Sequence, residues 1–446
     1  MKIKKEVDVV VIGAGAAGTA AAIAAVRNGV RVLLIERHGL LGGVAAMGYC
    51  FHTFFSHRGE KIVGGIADEI IQRLIPLRGA IGHIRWEGGH FGSVTPIDQE
   101  IVRYIINEMV SEAGVEVLLF TIAVEAVMEE SEIRGVLIAN KSGISFIPAK
   151  IIIDASGDAD IAASAGVPIA IGREGDGLVQ PVSMLFRMIN VDLEKAVQSL
   201  LAPDKPILRA IKPGGEKPSP VYFSGNFAPW QDLIEREGLF PDKNHKIFCN
   251  SIWEDQVNIN TARVAGINPL NPQEITKAEF ENRKQIFKIA SFLNRYVPGF
   301  EKAQLIGNPF SGVRESRRII GEYILTEEDV ISGRRFEDTI GRCAYPIDLH
   351  DPRGKDVEFT QISKGGYYDI PYRCLIPKGI DNLLVAGRCI SSTHLALGSI
   401  RCITSCFVTG EAAGTAAALS IKDRIFIREI KPHKLQKKLR DGGAII

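Results

Sequence analysis

The chain has 446 residues, with 53 Lys and Arg against 52 Asp and Glu, a formal net charge of +1. That length provides two or three domains with ample core, and the even charge balance lacks the basic footprint of a nucleic-acid-binding protein. Seven cysteines, an odd number at scattered positions, suit reduced thiols in a cytoplasm.

Met1 leads through MKIKKEVDVVV straight into an apolar run, with no apolar leader segment before it. Val9–Ile12 reads as a buried parallel strand. Gly13, Gly15 and Gly18 follow as G-x-G-x-x-G at a strand-to-helix turn. Gly13 permits the tight turn, Gly15 lets backbone approach a pyrophosphate, and Gly18 lets the helix pack on the strand. The helix N-terminus then faces the anion. An Ala-rich helix is predicted to stop at Asn28–Gly29. A second strand, Val30–Ile35, ends in Glu36, 18 residues after Gly18, where a carboxylate can bond an adenosine ribose. Strand, helix, second strand and acid together fit a βαβ nucleotide unit better than a ligand-free glycine turn.

Gly42–Gly43 forms a second flexible loop beside that turn, either a backbone-lined cofactor contact or an ordinary loop pair. Tyr49–Arg58, YCFHTFFSHR, mixes aromatics with histidines and suits the floor of a ligand pocket. His52 there is either a hydrogen-bonded core residue or a direct participant. Ile62–Leu77 reads as an amphipathic helix, and Arg78–Val94 as an ordered loop or lid. Thr95 and Pro96 predict a helix start, with Ala113–Gly114 its end and Val115–Phe120 the next strand. Thr121–Ala149 reads as a small antiparallel meander. Ile151–Gly157, IIIDASG, is a second strand–Gly junction, followed by a short helix over Asp158–Gly166. It would share the carboxyl edge of the sheet with Gly13–Gly18, where ligands bind in such folds.

From Gln180 to about Glu337 the chain is richer in proline, with short strands and two predicted helices, Thr276–Tyr296 and Ser316–Tyr323. This predicts an inserted α+β domain over 180–337, between first (1–179) and return (338–446) parts of the nucleotide domain. The return begins with Asn382–Gly387 as a buried strand. A long helix from about Ser399 through Ala418 follows. The most apolar stretch, Cys402–Ile421, is broken by Glu411 and glycines, so no membrane span is expected. Lys431–Arg440 reads as a surface helix docking Leu435 and Leu439 rather than a membrane or partner site.

Gly13–Gly18 with Glu36, Gly42–Gly43, DASGD at Asp154–Asp158, NLLVAGR from Asn382 and LGSIR at Leu397–Arg401 together resemble the FAD-dependent oxidoreductases with a glutathione-reductase-like FAD fold. GVRESRRIIGEYIL from Gly312 and PYRCLIP from Pro371 add to the likeness. The branch resembled has one dinucleotide fold and is related to heterodisulfide reductase flavin subunits and fumarate-reductase-type flavoproteins. The resemblance implies an α/β fold: a Rossmann-like FAD-binding domain with a three-layer sheet and antiparallel meander, plus the inserted α+β substrate domain.

It also implies site residues. Gly13, Gly15 and Gly18 would contact the pyrophosphate and Glu36 the ribose, with Ala17 and Arg37 beside them. Gly42 and Gly43 would line the flavin phosphate side, and Val124 would meet the adenine. Ala155, Gly157 and Asp158 would border the cofactor, and Gly387 and Arg388 the ribityl–phosphate region. Ser399, Ile400 and Arg401, at the start of the last helix, would point at the flavin pyrimidine edge. Two departures matter. The region after the first Glu offers only Cys50 where disulfide reductases carry a redox pair, so dithiol chemistry is not expected. No second G-x-G-x-x-G for a nicotinamide nucleotide lies between Gln180 and Glu337.

The catalytic candidates are His394, His52, Arg314 and Arg401. His394 falls between the Gly387 strand and the last helix, which would put it near the ring as a proton shuttle or donor. Arg401 at a helix start implies an anion nearby. Arg314, with Arg317, Arg318, Glu315 and Glu322, reads as part of a salt-bridged structural helix or as a grip on a carboxylate. Cys402 and Cys406, at i and i+4, read as small buried core thiols, and no metal site is expected. The function predicted is hydride transfer between FAD and a small polar, carboxylate-bearing metabolite. The alternative is an electron-transfer subunit serving a redox partner protein. A homo-oligomer is left open.

Overall fold

The computed structural model describes residues 7–87, 89–200, 207–240, 245–354 and 357–446. The expectation about the chain's first residues falls on 1–6, outside the described residues. Val7–Ile12 (β1) pairs in parallel with Val32–Ile35 (β2), Val9 opposite Val32 and Ile12 opposite Ile35. Every residue of β2 is buried, as a strand covered on both faces requires. Between them runs Ala16–Arg27 (α1), whose small side chains permit a close helix contact. Glu116–Leu118 (β3) adds to the far side of β2. Gly143–Asp154 (β4) adds to β1, and Leu383–Val385 (β5) adds to β4, giving the parallel order β3-β2-β1-β4-β5.

β4 does two jobs. Its first half closes the antiparallel meander of Ile122–Glu129 and Glu132–Asn140, while its apolar second half enters the parallel sheet. The meander and the IIIDASG strand, read separately from sequence, share this one continuous strand. Its burial shifts from mostly exposed to fully buried along its length, following the change from GISFIPAK to IIID.

The second sheet is antiparallel. It orders Leu208–Ile211, Pro218–Asn226, Lys246–Asn250, Gln256–Val264, Val182–Ile189 and Gln304–Gly307 side by side. Helix Pro272–Tyr296 covers it, and Phe186, Phe223, Ile289 and Phe292 belong to its own apolar core. The molecule is thus mixed α/β, a Rossmann-like parallel sheet with a meander and an additional sheet domain.

Three sequence expectations are corrected. The helix expected from Thr95 starts at Gln99, because Asp98 and not Thr95 accepts the free N–H groups of Glu100 and Ile101. Thr95 instead ends a short buried strand. Ser316–Tyr323 is not a helix: Arg317–Ile319 is a strand paired antiparallel with Ile169–Ile171. Alternation sends Arg317 to Asp160 and Arg318 to Glu315, where a helix would have aligned i and i+4 partners. The long last helix is two helices, His394–Ile400 (α2) and Ile403–Asp423 (α3), bent by 91°. Cys402 between them is extended, and Ser399 is tied to Tyr345 O and the Tyr368 hydroxyl.

α3 packs along α1 through glycines. A Cβ on Gly410 would overlap the Ala17 carbonyl, and one on Gly414 the Ala21 carbonyl. Among the described residues no single helix is long and apolar enough to cross a membrane; α2 and α3 reach that composition only together, across their bend. Leu435 and Leu439 are buried beneath helix Pro432–Asp441, as expected.

Candidate active site

The carboxyl ends of β1, β4 and β5 open on a cavity of about 370 Å³. At one end lies the glycine turn. Gly13 has φ +86°, and a Cβ there would sit 2.6 Å from Ala155 O. A Cβ on Gly18 would overlap the Gly13 carbonyl, so Gly18 serves the close approach of helix to turn. Gly13, Gly15 and Ala17 line the cavity, and Gly18 stands behind them. α1 begins there with Gly15 as its cap, and among the described residues no side chain caps it and no acid sits in its first turn. Its free N–H groups and positive dipole end are therefore uncompensated by the protein.

Glu36 lines the same end, and its two carboxylate oxygens accept from Ala14 N at 2.7 Å and His38 N at 2.8 Å. That fixes the carboxylate at the cavity edge. Arg37 lines the cavity too and pairs with Asp158 at 3.8 Å. Gly43 faces Gly15 so closely that a Cβ would lie 3.0 Å from the Gly15 Cα. Gly42, with φ +89°, sits one step back and donates its N–H to Ala14 O.

Ala155, Gly157, Asp158, Gly387 and Arg388 all line the middle. Asp158 accepts from Arg388 and from the Ser316 hydroxyl, each at 2.6 Å. Burial alone would raise the Asp158 pKa, but Arg388 and Ser316 hold it below the usual carboxylate range. Val124 is half exposed on the meander; Thr121, Ile122 and Ala123 line the cavity in its place.

The far end holds His52, Arg314, Tyr345, Asp348 and Arg401. Arg314 donates to Pro181 O at 2.9 Å and to the Ser183 hydroxyl. Burial, reinforced by the charge of Arg401, pushes its pKa down to about 10. Arg401 donates to Asp348 O at 2.9 Å and lies 3.3 Å from Asp348 Oδ2, while its buried Nε has no partner among the described residues. Burial opposes the Asp348 charge, but His350, Arg401 and Arg314 keep the carboxyl well below its ordinary range. His52 packs among Phe91, Tyr222 and Tyr345, and its Nε2 is likewise without a partner among the described residues. Burial lowers the His52 pKa to about 4, so the ring is neutral at pH 7.

The structure moves three of the expected residues. His394 does not line the cavity: Thr393 caps α2, and His394 Nδ1 lies 2.8 Å from Glu315 Oε1. Ser399 and Ile400 end α2 inside the core, because the bend comes after them. The helix start that faces the cavity belongs to α3, with Cys402, Ile403 and Cys406 at the wall. Cys402 and Cys406 are thus cavity residues rather than core fillers. Sequence reasoning missed Tyr345 and Asp348. The alternation of Ile347–His350, IDLH, is the one signal that could have marked Asp348 and His350 as sharing a strand face. Among the described residues no group of three or more metal-ligating side chains occurs.

A profile described as FAD dependent oxidoreductase matches residues 8–439. The chain belongs to that family. FAD is its cofactor, and the site fits it: a glycine turn with uncompensated N–H groups for a pyrophosphate, and a fixed carboxylate for a ribose. The chain is 32% identical over 205 residues to digeranylgeranylglycerophospholipid reductase 2 of Methanopyrus kandleri, covering 43% of this chain and 46% of that protein. It is 31% identical over 188 residues to thiamine thiazole synthase of Methanococcus aeolicus, covering 40% of this chain and 63% of that one. The chain therefore aligns with about half the length of these relatives. The crystal structure of p-nitrophenol 4-monooxygenase PnpA from Pseudomonas putida superposes with a TM-score of 0.50 at 11% identity, over 98% of this chain and 84% of that one. At that identity the likeness is one of fold.

Proposed function

We propose that this enzyme transfers a hydride between FAD and a small polar metabolite carrying a carboxylate. Bound FAD supplies the two-electron chemistry. The observation that carries the reading is the pair Arg314 and Arg401, two half-buried guanidiniums lining one cavity with Asp348 as their acidic partner. Two cations against one carboxylate leave a positive excess that suits an anionic substrate, and Arg401 Nε is a donor without a protein acceptor among the described residues. At the cofactor end, Gly13, Gly15 and the start of α1 would hold the pyrophosphate, and Glu36 the ribose. His52 lines the cavity and is neutral at pH 7, and its imidazole is the group that would take or return the substrate's proton.

Ser183 and Asn260 of the second sheet line the cavity as well, which supports a substrate-covering role for the segment 180–337. One parallel nucleotide sheet beside one antiparallel sheet supports the single-dinucleotide branch, with a glutathione-reductase-like FAD fold.

The test is anaerobic mixing of the FAD-loaded enzyme with hydroxy acids, amino acids, dicarboxylates and uncharged sugars. At least one carboxylate is expected to bleach the oxidised flavin spectrum, and its neutral amide to do so much more slowly. If the whole panel leaves the spectrum oxidised while an iron–sulfur protein co-purifies in stoichiometric amount, the electron-transfer subunit reading replaces this one.

A further inference from the structure

The segment Asn308–Arg314, NPFSGVR, leaves the second sheet after Gln304–Gly307 and runs along the cavity. Phe310 meets His38, two residues past Glu36, and both side chains line the cavity. Arg314 stands at the far end, so one short segment touches both ends. The Phe310 and His38 rings stack, with centroids 4.3 Å apart and planes inclined by 13°. His38 is itself fixed through its backbone, whose N–H donates to Glu36 Oε1 at 2.8 Å. Both residues are half-buried. The stacked pair is thus a piece of cavity wall beside Glu36 that is also open to solvent.

Two pins hold the backbone on either side of Phe310. Asn308 donates its side-chain amide to Met47 O at 3.0 Å and Leu185 O at 2.8 Å, and its own carbonyl accepts from Arg283 at 2.9 Å. Ser311 donates its N–H to Glu279 Oε2 at 2.9 Å, and its hydroxyl accepts from Asn282 at 3.0 Å. Gly312 then exchanges two backbone hydrogen bonds with Ser183 of the second sheet. Glu279, Asn282 and Arg283 all belong to helix Pro272–Tyr296. Among the described residues, no hydrogen bond links Pro309–Gly312 to the nucleotide domain, so the stack is the directed contact that joins Phe310 to it. A backbone pinned in this way leaves rotation of the ring as the freedom of Phe310. Rotamer changes of side chains open to solvent are fast, and an aromatic pair favours its stacked arrangement by only roughly 2–13-fold. Such a ring can open and close without any unfolding.

We propose that Phe310 is a gate for the cofactor: stacked on His38, it bars exchange of FAD at the Glu36 end of the cavity, and the two rings part for FAD to enter or leave. The inference rests on FAD occupying this cavity and not on the carboxylate substrate. It gives the second domain a part at the cofactor end as well as at the substrate end, because the segment that carries Arg314 also carries the gate.

The experiment uses the full-length protein. Dilution of the FAD-loaded form, followed by the rise of flavin fluorescence on release, gives koff. Titration of the deflavinated chain with FAD gives Kd, and kon follows from the ratio. Phe310→Ala is expected to raise koff and kon together, each roughly 2–13-fold, and to leave Kd within about twofold, because a gate speeds traffic in both directions. His38→Ala should do the same, and the double variant should be no faster than either single one. Phe310→Tyr and His38→Phe, which keep a stacked pair, should retain the wild-type rates. Unchanged rates in Phe310→Ala overturn the proposal. So does a rise in koff alone with Kd rising in step, since Phe310 would then be a contact surface for bound FAD and not a gate. No substrate is used, so failure here is separate from failure of the carboxylate reading.

Discussion

Arg401 holds Asp348 from one side only: its Nη2 lies 2.9 Å from the Asp348 carbonyl oxygen and 3.3 Å from Oδ2, while Nε is buried without a partner among the described residues. A buried donor left unmatched costs about 1–3 kcal/mol. An arriving carboxylate can recover that cost through a bidentate contact, which the point charge of lysine cannot make. Arg401→Lys is therefore expected to raise KM for the carboxylate substrate roughly 5–150-fold, the span that such an energy implies. FAD content, measured by absorbance after release, should stay near stoichiometric. An unchanged KM would remove Arg401 from substrate binding.

Glu36 governs the opposite end of the cavity. It accepts two backbone N–H groups, from Ala14 and His38. Glu36→Ala strips both of their acceptor and removes the ribose partner together. Each unsatisfied donor costs about 1–3 kcal/mol, so FAD affinity should fall by at least tenfold in a fluorescence titration. Glu36→Gln keeps one acceptor oxygen and should fall between.

His52 supplies a different test. A positioned proton-transfer group contributes roughly 10²–10⁴ in rate. His52→Ala is expected to lower kcat by about that factor with little change in KM, and His52→Gln not to restore it, because an amide cannot move a proton. Burial lowers the wild-type ring to about pKa 4. Its basic limb should therefore be fully developed at pH 7, with activity lost only as the pH falls toward 4.

Much of this was legible in residue order alone. β1, α1, β2 and Glu36 sit where G-x-G-x-x-G places them, because local turn chemistry and apolar runs decide that unit. The bend after Ile400 was not legible. Arg401 and Cys402 carry no Gly or Pro break, and the turn is held by Ser399 bonding Tyr345 and Tyr368 from far along the chain. The same tertiary cause hid Asp348 from the site. His394 was misplaced for the converse reason: nearness in sequence to Gly387 says nothing of where the ring turns, and Glu315 draws it away.

The contact of α1 with α3 makes a stability prediction. A Cβ at Gly414 would overlap the Ala21 carbonyl, and backbone cannot step aside as a flexible side chain can. Overpacking of this kind costs typically about 1–3 kcal/mol. Gly414→Ala should lower the urea midpoint accordingly without changing the m-value. Because α1 carries the glycine turn, FAD affinity should weaken in parallel.

Glu411 makes the pH dependence of folding testable. It lies in α3, 5% exposed, and accepts from Ile66 N at 3.0 Å. Burial, only partly offset by that bond, raises its pKa from 4.5 to about 7. The sign follows from proton counting. Between pH 4.5 and about 7 the folded chain keeps the proton and the unfolded chain has released it, so the folded state binds more protons. The stability linked to Glu411 is complete below pH 4.5 and is lost as the pH rises through about 7. Urea unfolding of the wild type across that window should show this falling component, and Glu411→Gln, neutral throughout, should flatten it. Carboxylates with lowered pKa, Asp348 among them, act in the opposite direction at lower pH, so the difference between wild type and variant isolates Glu411. A difference that stays constant with pH would mean that Glu411 is ionised in the folded protein across the whole window.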